Sequence, residues 1–172
     1  MKTLLKIEHN IDWIPLKNRV EFYLDTKIPE KDLVTSVHIL AFRYNRILFI
    51  KHPERGWDIP GGHVEKNETP VKALEREVYE EAYAKLTDLR LLGYIKITLL
   101  EKDLAQSEHK LPESYILLYV GNVESLDPFV GEYETLDRRL FTPAEAKKLP
   151  WVKRFRHIYD AAFDEIQKMN FK

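Results

Sequence analysis

Apolar positions change their period along the chain, and each change marks an element. Strand-like runs cover residues 19–24 (RVEFYL), 34–42 and 47–51. Their branched and aromatic side chains suit a pleated, half-buried surface. The link Arg43-Tyr44-Asn45-Arg46 is short enough to close the last two runs into a hairpin. Strand-like runs return at 89–99, 114–123 and 138–141. Three loops separate these runs: HPERGWDIPGG, dense in Gly and Pro; the polar EKDLAQSEHKLPE; and residues 124–137. Residues before 34 alternate only loosely, with Pro15 and Pro29 as punctuation, and read as an N-terminal extension (1–33) of one domain spanning 1–172.

Helical spacing begins after residue 68. Thr69 is placed to cap a helix and Pro70 sits at the favoured first position. Val71, Leu74, Val78 and Ala82 follow on one face. Thr142-Pro143 opens a short helix that Pro150 ends. A last amphipathic helix carries Trp151, Phe155, Ile158, Tyr159, Ala162, Ile166 and Met169 on one stripe. That stripe is core packing. Strands mixed with three helices predict an α/β layer fold with a mixed sheet.

Composition narrows the function. With 27 Lys plus Arg against 28 Asp plus Glu, the formal charge is −1, a balance that argues against a dedicated nucleic-acid binder. There is no cysteine, which removes disulfides, thiolate metal sites and thiol nucleophiles together. The apolar run near the N-terminus is too short for a signal peptide and the others are too short to span a membrane. A cytoplasmic protein without a membrane partner is expected. The near-zero total conceals segregation: residues 65–81 carry a local −3, and residues 147–156 a local +5.

The acidic patch carries the chemistry. At about 100° per residue, Val71, Leu74, Val78 and Ala82 fall within about 40° of Val78, and Glu77, Glu80 and Glu81 fill an adjoining arc of roughly 100°. Like charges at this spacing repel, and a divalent cation among them relieves the repulsion. Carboxylate oxygens suit a hard ion such as Mg²⁺, Mn²⁺ or Ca²⁺. Ala73 falls on the same arc, where a small side chain leaves room for a ligand. Arg76 lies next to Glu80 and can orient a carboxylate through paired hydrogen bonds. By itself an acidic helix run is more often a solvated face. Gly61-Gly62 just before it changes the balance, because adjacent glycines let backbone approach a ligand closely.

The stretch GGHVEKNETPVKALEREVYEEAYA resembles the Nudix box of the Nudix hydrolase family, with Gly62, Glu68, Arg76, Glu77, Val78, Glu80 and Glu81 in register. The box covers 62–84 as a loop-helix-loop, and Tyr83 stands where the family has Gly. A left-handed tyrosine is unfavourable, so the helix is expected to run on one or two residues towards Leu86. The resemblance implies a Nudix-like α/β/α sandwich. It also implies hydrolysis of a pyrophosphate bond in a nucleoside diphosphate linked to another moiety, such as a nucleoside triphosphate or a nucleotide sugar. Glu77, Glu80 and Glu81 match the metal-binding and catalytic carboxylates, Glu68 and Arg76 match supporting positions, and the Gly61 carbonyl is a further metal contact. The implied cofactor is Mg²⁺, with Mn²⁺ as a substitute.

The catalytic base is placed either in the box or in the later loop, where Glu132 and Glu134 are the candidates. Gly61 and Gly62 are candidates for substrate contact. Lys51, Arg55 and Lys96 are candidates for phosphate, and Trp57, Phe129 and Tyr133 for stacking on a base. His63 is a loop histidine near the phosphate position. The stretch after the box (Leu99, Leu100, Glu101, Lys102) carries neither of the family's markers for ADP-ribose or dinucleoside polyphosphates, so the sequence leaves the substrate open. A nucleotide-binding sensor without turnover is the alternative reading, and a homodimer is a candidate assembly.

Overall fold

The computed structural model describes residues 1–100, 112–131 and 134–170, the last without its side chain. In chain order the strands are β1 (Thr3–His9), β2 (Asn18–Leu24), β3 (Val34–Arg43), β4 (Arg46–His52), β5 (Gly56–Asp58), β6 (Gly61–His63), β7 (Ala84–Leu99), β8 (Glu113–Leu126) and β9 (Asp137–Phe141). The helices are α1 (Pro70–Ala82), α2 (Pro143–Ala146), α3 (Pro150–Arg154) and α4 (Arg156–Asn170). Among the described residues the strands join one mixed sheet in the order β1-β2-β7-β8-β3-β4-β5, with β6 also paired to β3 and β9 to β4. Only the β3–β8 pair is parallel among these pairings.

Alternation along β3 builds two cores. Val37, Ile39 and Ala41 face α1, where they meet Leu74, Val78 and Ala82. Leu40 and Phe42 face the other way, into a larger core with Ile158, Tyr159, Ala162 and Ile166 of α4. This is the expected α/β/α sandwich with a mixed sheet. Among the described residues no helix is long and apolar enough to cross a membrane.

Several local expectations need correction. Residues 1–33 supply β1 and β2, of which only β2 showed in the sequence. β1 is an edge strand with mostly exposed or half-exposed positions, so it lacks the periodicity of a buried face. The Gly- and Pro-rich stretch read as a loop contains β5 and β6. Pro150 opens α3 rather than merely ending a helix, and the last amphipathic stretch is two helices. They break at Phe155, whose φ of −106° and ψ of 37° are not helical. Phe155 nevertheless packs on Phe22 and Trp151, so the apolar stripe survives the break.

The end of α1 also differs. The helix stops at Ala82, Tyr83 adopts the left-handed conformation (φ 47°, ψ 39°), and β7 starts at Ala84. The conformation costs about 1–2 kcal/mol for a non-glycine residue. Burial of the ring offsets part of it: Tyr83 is only 6% exposed and sits edge-on to Phe129 at 5.4 Å.

Candidate active site

The start of α1 forms as the sequence dictates. The Thr69 hydroxyl accepts from the Lys72 amide at 3.3 Å, and Pro70 occupies the first turn. The buried face, however, comprises Pro70, Ala73, Leu74, Val78 and Ala82, whereas Val71 is exposed. Ala73 is therefore core and not a space for ligand. At about 100° per residue the centre of this face falls between Leu74 and Glu81. Glu77 and Glu81 thus lie within the arc that α1 turns to the sheet, not beside it.

Two glycines of β6 make that arrangement possible. The Gly61 amide donates to Glu81 Oε2 at 2.8 Å. A Cβ on Gly62 would lie 2.4 Å from the Glu77 carboxyl carbon, and one on Gly61 would lie 2.2 Å from the Val37 carbonyl oxygen. Glycine thus lets the strand lie close to β3 on one side and admits a carboxylate on the other. Gly61 also has a φ of +144°, which side-chain-bearing residues rarely adopt.

Arg76 organises the remaining acids. Its Nε and Nη2 donate to the two oxygens of Glu68, each at 3.0 Å, and Nη2 also donates to the His63 carbonyl at 3.0 Å. Nη1 donates to Glu77 at 3.0 Å and to Glu80 at 3.4 Å. These bonds hold Arg76 firmly protonated, the Glu68 pair contributing most. The Arg76 bond also holds the Glu68 carboxyl below its usual range. Glu81 is pushed up to about 7, chiefly by burial, with the negative charge of Glu77 adding to the shift and the Gly61 hydrogen bond opposing it.

Asp58 faces the same side of the sheet as these acids and was missed in the sequence. It pairs across from Ile50 and so shares the face of α1. Burial raises its carboxyl, opposed by Arg55, which lies 3.7 Å away. Glu81 experiences the charges of both Asp58 and Arg55. The signal was period 2: in a strand, Asp58 must point opposite Trp57, but these residues read as loop. Beneath the glycines, burial lowers the His38 imidazole to about 4.

The other sequence candidates fall in several places. Arg55 is at the site, exposed, and Lys51 is exposed on β4. Glu134 is exposed, next to Thr135, which is buried and donates its hydroxyl to the Glu81 carbonyl at 2.7 Å. Glu132 and Tyr133 lie outside the described residues. Trp57 packs into the α4-side core, edge-on to Phe141 at 4.9 Å. Phe129 packs on Tyr83. Lys96 pairs with Glu113 at 2.6 Å, next to Tyr115 and across from Glu21. Among the described residues no three acidic or imidazole groups are gathered into a ready-made metal cluster. Arg76 draws Glu77 and Glu80 to itself, and the Gly61 amide draws Glu81. The donors on this face are nevertheless all oxygen, which fits a hard divalent cation.

Comparison with known proteins identifies the family. The family model for the NUDIX domain matches residues 32–162, and the chain belongs to the Nudix family. It is a Nudix pyrophosphohydrolase, an enzyme acting on an acid anhydride. It is 29% identical over 125 residues to the "Putative 8-oxo-dGTP diphosphatase YtkD" of Bacillus subtilis (strain 168), covering 73% of this chain and 72% of that one. It is 32% identical over 71 residues to an 8-oxo-dGTP diphosphatase of Proteus vulgaris, covering 38% of this chain and 63% of that one. Its fold is similar to that of the Bacillus subtilis pyrophosphohydrolase BsRppH (E68A mutant), with a TM-score of 0.70, 21% identity and 97% of each chain covered.

Proposed function

We propose that the protein is a Mg²⁺-dependent hydrolase of nucleoside triphosphates and that an oxidised purine triphosphate such as 8-oxo-dGTP is the first substrate to test. The observation that carries the reading is the paired approach of Glu77 and Glu81 to the two glycines of β6, with Arg76 binding Glu68 and Glu77 together. The named activity of the two curated relatives supports the substrate class.

In this reading Glu77, Glu80 and Glu81 hold the cation, with the Gly61 carbonyl as a further contact. When bound, Mg²⁺ neutralises charge on the diphosphate oxygens that would otherwise repel a nucleophile. The chain's own residues orient the reactants. Arg76 and Glu68 fix the carboxylate geometry, and the Arg55 cation is available to a phosphate oxygen. The proton acceptor for the attacking water is a box carboxylate or Glu134, which Thr135 ties to the last turn of α1.

A Mg²⁺-supplemented panel of nucleoside triphosphates, nucleotide sugars and dinucleotides, with products identified by mass spectrometry, tests this. The expected result is a nucleoside monophosphate and pyrophosphate from a triphosphate, lost in Glu81→Gln. Turnover confined to nucleotide sugars would overturn the substrate class, and no turnover with any metal would overturn the reading as a whole.

A further inference from the structure

The end of α1 is held from outside the helix. The last four carbonyls of a helix lack partners within it. Here the Glu81 carbonyl accepts from Thr135 at 2.7 Å. The Ala82 carbonyl accepts from Arg138 Nη1. The Tyr83 carbonyl accepts from Arg138 Nη1 at 3.0 Å and from the Asp127 amide at 2.9 Å. Arg138 Nη2 also donates to the Asp127 carbonyl. One guanidinium thus joins the helix end to the loop that follows β8.

Aromatic packing tightens the same join. The Phe129 ring lies 5.4 Å from that of Tyr83 and 5.8 Å from the Arg138 guanidinium. The Tyr79 hydroxyl donates to Asp127 at 3.0 Å. Arg138 is anchored on β9, across from Ile50 of β4, so it is carried by the sheet and not by the helix it caps. A cation at this position also complements the negative end of the helix dipole.

We propose that Arg138 is a positioning residue for the reaction, holding the left-handed Tyr83 and, through it, the last turn of α1. The inference rests on the reading of the α1 carboxylates as the cation-holding set. Glycine in place of Tyr83 would end the helix unaided. Tyrosine needs an external clamp, and Arg138 supplies it. Without the clamp, α1 is free to run on past Ala82, and Glu80 and Glu81 lie in the turn that would move. The loop bearing Glu134 would lose its tie to the same turn.

The test uses the full chain with Arg138→Ala, Arg138→Lys, Tyr83→Gly and the double variant Tyr83→Gly/Arg138→Ala. Three readouts are taken: steady-state kinetics on a triphosphate the native protein hydrolyses, Mn²⁺ affinity from the spin resonance of the free ion, and hydrogen exchange of the Tyr83 and Asp127 amides. In Arg138→Ala, kcat falls about tenfold with little change in KM. Mn²⁺ binding weakens and both amides exchange faster. Lysine restores only part of each, because one ammonium cannot reproduce a planar fork across three carbonyls. Removing Arg138 matters less when residue 83 is glycine, because glycine keeps the left-handed turn.

A lower melting temperature with unchanged kcat and Mn²⁺ affinity would overturn the proposal, and so would an equal loss in both backgrounds. A native protein without turnover would refute the proposed reaction instead. The clamp would then be judged on Mn²⁺ affinity and amide exchange, and no change in either on removing Arg138 would overturn it.

Discussion

The Arg76 guanidinium grips Glu68 with two parallel hydrogen bonds, Nε to Oε1 and Nη2 to Oε2, each 3.0 Å. Its third nitrogen reaches Glu77 at 3.0 Å. A planar fork can serve two carboxylates at once, and a lysine ammonium cannot. Arg76→Lys keeps the charge and loses the geometry. We expect kcat/KM to fall about 10–100-fold, in the range seen when partners that orient a metal-binding group are removed. Steady-state kinetics at saturating Mg²⁺ check this. Full activity in the lysine variant would show that charge alone suffices.

The two glycines of β6 make separable predictions. An alanine at position 62 meets the Glu77 carboxylate, the free end of a side chain that can swing away. Gly62→Ala should therefore fold with a stability loss under about 1 kcal/mol. If Glu77 holds the cation as proposed, activity should drop about 100-fold, the scale of loss expected for a displacement of roughly 1 Å. An alanine at position 61 meets the Val37 carbonyl, which is backbone, and must also hold a φ of +144°. Gly61→Ala should lose about 3 kcal/mol or more, because nothing nearby can yield. Denaturant unfolding of both variants, alongside their turnover, separates the two effects.

Much of this site was legible because box spacing, capping and carboxylate chemistry are local. Thr69, Pro70, Glu68, Arg76 and the three helix acids all sit within one short stretch, and the spacing of Glu68, Arg76 and those acids carries the resemblance to the Nudix box. What was hidden depends on partners distant in sequence. Asp58 joins the site only because β5 pairs with β4, a pairing that three residues cannot announce. Tyr83 defied its own preference because Arg138 and Asp127 reach it from 55 and 44 residues further along the chain. The wheel centred the apolar stripe on Val78. The real buried face is shifted towards Ala73, because the glycines opposite accept carboxylates that would otherwise face solvent.

Trp57 distinguishes core from site. It packs on Phe141 at 4.9 Å within the α4-side core, and its exposure is intermediate. Trp57→Ala should destabilise the fold by about 2–3 kcal/mol, below the range for a fully buried tryptophan. KM for a nucleotide should stay within about threefold, since no stacking contact is removed. A tenfold rise in KM with unchanged unfolding would instead place the indole against a substrate base.

Glu81 and His38 contribute to the pH dependence of stability in the metal-free protein with opposite signs. Glu81 stands at about 7, raised mainly by burial, against about 4.5 when unfolded. The folded state then holds more protons between these values. The contribution of Glu81 is therefore fully present below about pH 4.5 and is lost as pH rises through about 7. His38 stands at about 4, lowered by burial, against about 6.5 unfolded. Its contribution is present above about pH 6.5 and is lost as pH falls through about 4. The windows nearly coincide and the signs are opposite, so the two contributions partly cancel. Glu81→Gln removes one of them. In EDTA the variant should gain on the native protein by about 1–2 kcal/mol between pH 5 and pH 8, allowing for partial solvent screening. Mg²⁺ should shrink that difference by stabilising the ionised carboxylate of the native protein. Denaturant unfolding at pH 5, 6.5 and 8, with EDTA and with Mg²⁺, measures it, and a difference that does not grow with pH in EDTA would show that Glu81 is ionised throughout.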